Sequence, residues 1–418
     1  MKTEPGTKWL LGVARRRLNG ALDRISGRPS QKPFPSCQTL EKDDLRIALG
    51  LLKKLTAVEK DTRIVTEYER EFAAWNGSRH AFAFSSGREA LSACISAAGL
   101  EPGDEVILPG YTCVVVPNAF HFAGVKTIYS DIELDTYGLD ASIIEATITG
   151  NTRALLIHHL YGLVSRDYDR IIEIARKHGL IVIEDCAQAT GAEYRGVKVG
   201  NRADFAFYSS EQSKVFNTIQ GGMATTNNDT LAEKLAEQYK NASPPGSDWV
   251  EKLLSTLVMN YYIHRHEMKR VTGDIAKLVY MNKTLVSTTD DETKGVKPDY
   301  YGRRMAGPVA RIGLNQLAKI DRFNKLRRET APRWSAWCDS RGFKKPSVVD
   351  DSVPIFLRYP VIADPSMKLN TSWSYAEIGV EIGKWFISNL HPSKSHVDNC
   401  PNADIAVERC INFPGIMP

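Results

Sequence analysis

The seven cysteines of this 418-residue chain include no CxxC pair and no metal-type spacing. An odd number of scattered thiols excludes a disulfide framework and a zinc-finger-type site, and it points to a reducing compartment. Long hydrophobic runs are missing too. Val106–Val125 goes 20 residues without Asp, Glu, Lys or Arg, but Pro109, Gly110, Pro117, Asn118 and Gly124 break it into strand, loop and helix rather than a membrane span. At the N-terminus the apolar run Trp9–Ala14 is six residues long and meets three arginines, too short for a signal peptide, so the expected location is cytoplasmic. There is no internal repeat and no large charge surplus. The net +5 is local: residues 1–32 carry eight basic side chains against Glu4 and Asp23, a net +6, which leaves the remainder at −1. A broadly basic, nucleic-acid-binding body is therefore excluded, and a basic N-terminal arm is not.

With 43% hydrophobic and 25% charged residues, the composition is that of an ordinary globular protein long enough for one two-part enzyme or two to three small domains. Residues 1–40 form a separate section that ends in a linker with Pro29, Pro33 and Pro35. Within it Leu10, Leu11, Ala14, Leu18, Ala21, Leu22 and Ile25 recur at helical spacing opposite most of the arginines. Such a basic amphipathic helix docks on its own protein or a partner subunit, or contacts an anionic membrane surface through residues 1–32. Residues 243–300 have their own composition. Trp249, Val250, Leu253, Leu254, Leu257, Val258, Tyr261 and Tyr262 make a helical apolar stripe, read as an insert packed on the body or a partner chain, with a membrane or substrate contact as the alternative. His264 and His266 beyond it have no third ligand, so no metal site is expected.

Between about 60 and 230, apolar strands alternate with helices. The expected strands are Ala81–Phe84, Glu105–Leu108, Lys126–Ser130, Ala154–His158, Leu180–Glu184, Phe205–Tyr208 and Met223–Thr226, with helices such as Arg88–Ala98 and Asp167–His178 between several of them. Short buried strands separated by helices predict an α/β fold with a mostly parallel sheet covered on both faces. Residues 301–418, with a helix expected over Pro308–Arg328 and strand-like pieces after it, suit a smaller α+β domain. The division is then 1–40 arm, 41–242 large domain, 243–300 helical insert and 301–418 small domain.

Ligands of such sheets sit at the carboxyl ends of the strands. There the chain offers Ser85-Ser86-Gly87-Arg88, a turn into a helix start that favours a phosphate, and Asp185, which follows an apolar strand and needs a cationic or hydrogen-bonding partner. It also offers Ser209 and, five residues on, Lys214. A lone lysine is usually a solvated surface residue. Phosphate anchor, buried acid and lysine at successive strand ends are, together, what pyridoxal 5′-phosphate requires: an anchor, a ring-nitrogen partner and an amine.

With these residues placed, the sequence resembles the DegT/StrS-type sugar aminotransferases, pyridoxal-phosphate enzymes of the aspartate aminotransferase fold (fold type I). The resemblance runs through Tyr68–Ala73, Ser86-Gly87, Pro102–Ile107, Asp131-Ile132, His159–Gly162, Ile183–Asp185, Ala187-Gln188, Gly191-Ala192, Ser209, Lys214 and Gly221-Gly222, and resumes at Arg304-Met305 and Gln316-Leu317. It implies that Lys214 binds the cofactor covalently and then acts as acid and base, and that Asp185 holds the pyridine nitrogen protonated. Gln188 would bond the phenolic side of the ring, and Gly87 and Ser209 the phosphate. It implies a homodimer that moves an amino group, with glutamate as donor, onto a keto-sugar carried on a nucleotide. The alternatives are a sugar dehydratase of the same family, whose members typically lack the lysine, and a non-catalytic relative with an eroded site. Three positions depart from the family pattern. Arg88 replaces the usual Thr, and would pair the phosphate or reach into the substrate pocket. Cys113 stands where many members stack an aromatic ring on the cofactor, which passes that role to a group such as Tyr111 or loses it. Gly302 stands near the asparagine often lent to a neighbouring subunit.

Overall fold

The computed structural model describes residues 37–55, 62–264, 290–298 and 301–417. The amphipathic arm within residues 1–32 and the basic stretch after His264 lie outside the described residues. A central sheet has seven strands: β1 (His80–Phe84), β2 (Glu105–Pro109), β3 (Lys126–Ser130), β4 (Thr152–His158), β5 (Ile181–Asp185), β6 (Phe205–Ser209) and β7 (Gly222–Thr226). Their order is β1-β7-β6-β5-β4-β2-β3. β7 runs antiparallel to both its neighbours, and the pairs from β6 to β3 are all parallel. All seven coincide with the expected strands to within one or two residues.

The helices are α1 (Lys42–Leu52), α2 (Arg63–Asn76), α3 (Gly87–Ala97), α4 (Val115–His121), α5 (Ala141–Thr147), α6 (Tyr168–Lys177), α7 (Asp229–Asn241), α8 (Ser247–His264), α9 (Asp290–Thr293), α10 (Gly307–Leu317) and α11 (Ile320–Asp339), followed by shorter ones. Alternation along the strands distributes side chains to two covers. Val106 and Leu108 of β2, with Ala154 and Leu156 of β4, pack with Leu91, Ile95 and Phe120 of α3 and α4. Ile107, Leu155 and Ile157 point to the opposite core with Phe72, Ile171 and Ile172 of α2 and α6. Each such side chain contributes about 1.5–3 kcal/mol by leaving water, so a one-residue register slip in either strand is strongly disfavoured.

The apolar stripe of α8 lies in the second of these cores: Val250, Leu253, Leu254, Leu257 and Tyr261 are buried with residues of α1 and α10. A helix expected over 308–328 is in fact two, α10 and α11, separated at Ala318-Lys319. No glycine or proline marks the break. It is held by side chains instead: Lys319 Nζ reaches Asp43 at 3.0 Å and Asp44 at 2.6 Å, and Gln316 donates to the Thr39 carbonyl.

A third apolar cluster gathers Trp334, Tyr359, Val361, Ile382, Phe386 and Phe413 with Tyr111, Tyr137 and Tyr161. Trp334 stacks on Phe413 at 4.6 Å and donates to the Pro414 carbonyl at 2.9 Å. Arg358–Ile362 and Cys410–Pro414 form an antiparallel ribbon beside it. Leu390-His391 adds in parallel to Thr112-Cys113, and so brings residues 385–392 to the carboxyl edge of the main sheet. All seven cysteines are free thiols. Among the described residues no helix is long and apolar enough to cross a membrane.

Candidate active site

At the end of β1 the chain turns into α3 through Ser86, whose hydroxyl accepts the Glu89 N–H. A side chain at Gly87 would place its Cβ 2.9 Å from Ser209 Cβ, so only glycine lets the end of β6 lie this close to the helix start. Ser209 Oγ accepts the Glu211 N–H at 3.3 Å, which leaves its own proton to donate. Asp185 closes β5. Its Oδ1 takes the Ala187 N–H at 2.9 Å, and burial raises its pKa against the lowering pull of that N–H, Lys214 and His159. A carboxyl in this state gains from a cationic partner. Gln188 Oε1 accepts the Tyr161 N–H at 3.0 Å, which leaves its amino group as the end that donates. Lys214 follows β6 on a loop whose Glu211 accepts both the N–H and the hydroxyl of Ser213.

Gly87, Arg88, Asp185, Gln188, Ser209 and Lys214, drawn from three strand ends, all line one cavity of about 350 Å³. The residues fit pyridoxal phosphate on the chain's own terms. A glycine-lined helix start and a hydroxyl suit a phosphate dianion, a half-buried acid suits a ring N–H, and a lysine stands on the same wall.

Beneath Asp185, burial alone would raise the Glu184 carboxyl, yet hydrogen bonds from His159, Tyr168 and the Gly200 N–H hold it below its ordinary value. Nδ1 of His159 accepts the Ser165 N–H at 3.2 Å and Nε2 faces Glu184 at 3.0 Å, so Nε2 carries the proton. His159, Glu184 and Cys186 bring ligand-type atoms within 4.8 Å of one another, but both ring nitrogens are already engaged, and the group is a hydrogen-bond network under the sheet edge.

Three findings depart from the sequence reading. Tyr111 is buried behind the cavity, not in it: its hydroxyl contacts Tyr161 at 3.0 Å and accepts the Phe386 N–H at 2.9 Å. Its ring supports Phe386 from 5.1 Å away. On the side of Cys113 the cavity is lined by Trp385, Phe386 and His391, while Phe207, His158 and His159 line it from the sheet. His391 lies 5.0 Å from Phe386, nearly parallel, and burial aided by Arg358, Lys214 and Lys368 pushes it down to about 4. Sequence reading missed this wall, although Trp385-Phe386 and His391-Pro392 form an aromatic and imidazole cluster in an otherwise polar stretch. Finally, Arg88 lines the cavity while its guanidinium pairs with the buried Glu292 of α9. Asn118 donates to the Glu292 carbonyl at 2.6 Å and Tyr301 to its carboxylate at 3.2 Å, which fastens this segment over α4.

A mostly parallel sheet of this order with such a cavity at its carboxyl edge defines a fold-type-I enzyme scaffold. Residues 56–417 match the DegT/DnrJ/EryC1/StrS aminotransferase family, and the chain belongs to it. A GDP-perosamine synthase of Caulobacter vibrioides is 43% identical over 173 residues, 41% of this chain and 46% of that protein. An L-glutamine:2-deoxy-scyllo-inosose aminotransferase of Streptomyces kanamyceticus is 38% identical over 283 residues, 66% of this chain and 56% of that one. The chain thus spans about half the length of the curated relatives it matches. An aminotransferase from Psychrobacter cryohalolentis has the same fold, with a TM-score of 0.70 at 22% identity over 92% of this chain and 94% of its own.

Proposed function

We propose that this protein is a pyridoxal-phosphate-dependent aminotransferase that moves an amino group from an amino acid, glutamate or its amide, to a keto-sugar carried on a nucleotide. The observation that carries this reading is the convergence of Lys214, Asp185, Gln188, Gly87 and Ser209 on one cavity. The cofactor, when bound, supplies an aldehyde carbon to carry the amino group and a ring that takes up electrons. Lys214 offers the amine that holds it and, once released, moves a proton at the substrate carbon. Asp185 holds the proton on the ring nitrogen, Gln188 donates to the phenolic oxygen, and the Gly87 N–H and Ser209 hydroxyl hold the phosphate. Family membership and relatives whose names specify aminated sugars or cyclitols support the substrate class. The presence of Lys214 favours amine transfer over dehydration.

We further read residues 41–242 as the cofactor domain, 243–300 as a helical insert and 301–418 as the small domain, in a homodimer, with the 1–40 arm as a docking or anionic-membrane element. The test of function is a screen of keto-sugar nucleotides for amine transfer with glutamate and glutamine. Transfer that needs Lys214 is expected; a protein that takes up no pyridoxal phosphate would sink the reading.

A further inference from the structure

The aromatic wall of the cavity is irregular backbone, and buried irregular backbone needs partners for its amides and carbonyls. Trp385 and Phe386 find theirs on side chains. The Trp385 N–H donates to Asn412 Oδ1 at 2.9 Å, and its carbonyl accepts the Tyr161 hydroxyl at 2.6 Å. The Phe386 N–H donates to the Tyr111 hydroxyl at 2.9 Å, and its carbonyl accepts Lys368 Nζ at 2.7 Å. Asn412 is a neutral amide, and burial keeps both tyrosines protonated. The remaining partner is an ammonium. Lys368 lies in the short helix Pro365–Leu369, is 6% exposed and does not itself line the cavity. Besides Phe386 it reaches the carbonyls of Val407 at 2.5 Å and Ala406 at 3.5 Å, so its three N–H bonds meet three neutral acceptors. Both belong to the last turn of the helix Pro401–Arg409, whose dipole favours a cation there. Burial pushes the ammonium down to about 8, opposed by Cys410 and aided by Lys384. Around it, burial raises the Cys410 thiol and both tyrosines and lowers His391 to about 4, each away from pH 8. Of the charged groups on the packed helices, Asp364 caps its own helix through Ser366, Asp404 contacts His396, and Glu408 faces Arg409.

We infer that Lys368 is a positioning residue of the reaction: from outside the cavity it holds the Trp385-Phe386 wall in the place where substrates meet it, an inference that rests on the aminotransferase reading above. Phe386 stacks on His391 from 5.0 Å, and the Trp385 ring has Lys214 Nζ at 6.0 Å, so a shift of the Phe386 carbonyl moves the surface that faces the lysine. The groups suited to the cofactor, Asp185, Gly87 and Ser209, are fixed by strand ends and do not depend on Lys368. A neutral amine offers two N–H donors and no charge to three carbonyls, so the hold weakens as pH rises through the value of Lys368.

The test compares wild type, Lys368→Met and Lys368→Arg as full chains loaded with pyridoxal phosphate. Hydrogen exchange followed by mass spectrometry should quicken about tenfold in Lys368→Met for the peptide carrying 385–391, the loss of one charge-assisted hydrogen bond, and change less than about twofold for the peptide carrying 181–188. KM for the keto-sugar should rise by a similar factor, with cofactor affinity within about twofold of wild type. Lys368→Arg keeps the charge, so it should restore both, and it should remove the rise in wild-type KM expected from about pH 7 to about pH 9. Unchanged exchange at 385–391 would overturn the inference, as would cofactor affinity lost by the same factor as substrate affinity, or an alkaline rise in KM that persists in Lys368→Arg. Should Lys368→Met take up no cofactor, the pH profile of Lys368→Arg decides alone. Faster exchange confined to the wall, in a protein whose wild type transfers no amine, would overturn the proposed function and leave the hold of Lys368 on the wall standing.

Discussion

The two sides of the cavity are built by different means. On the sheet side, Asp185, Ser209 and the start of α3 are fixed by strand ends whose register the two cores enforce. On the opposite side, Trp385, Phe386 and His391 are carried by a loop tied through Thr112-Cys113, and Glu292 is brought in by α9. The first side holds the groups suited to chemistry; the second shapes and closes the space in which they act. Regular structure positions a reacting group through many shared contacts, whereas the loop wall depends on a few specific ones such as the Phe386 N–H to Tyr111.

Substitutions on the two sides should therefore fail differently. The largest effect is expected from Lys214→Ala, which should lower turnover by at least about 10³-fold and abolish covalent cofactor absorbance with little change in melting temperature. Asp185→Asn should keep cofactor uptake but cut turnover by roughly 10²-fold, measured under saturating substrates. At the ion pair that ties the two sides together, Arg88→Ala removes the cation beside the buried Glu292 and should cost about 3–5 kcal/mol in denaturant unfolding. The double change Arg88→Met with Glu292→Met should recover much of it. A strand-end variant that mainly unfolds, or an Arg88 variant that mainly loses turnover, would break the contrast.

The smallest effect sharpens it through pH. Burial raises Glu89 to about 7 from an ordinary 4.5, against hydrogen bonds from Ser85 and Ser86 and the charge of Arg88. Between these two values the folded chain binds more protons than the unfolded one, so this group's contribution to stability falls as pH rises from 4.5 to about 7. The loss is at most about 3 kcal/mol. Glu89→Gln should flatten that slope in thermal melts across the window, and an unchanged slope would show that another group carries it.

The sheet was legible because its strands are short, apolar and bounded by turns, and the strand-end residues followed from the rule that ligands sit at carboxyl edges. The resemblance to a known family then assigned each a role. The break between α10 and α11 was not legible, since it is made by Lys319 reaching Asp43 and Asp44 more than 270 positions away. Tyr111 was misplaced, and the pairing of Arg88 with Glu292 was not foreseen, for the same reason: the partners Phe386 and Glu292 come from distant segments that no local pattern connects. Local periodicity reports which face of an element is buried, and it is silent about which remote loop covers that face.

The most direct test of the central claim is borohydride reduction of the protein loaded with pyridoxal phosphate, followed by peptide mass mapping. The phosphopyridoxyl mass should appear on Lys214 and vanish in Lys214→Ala. Attachment to another lysine, or none, would contradict the account.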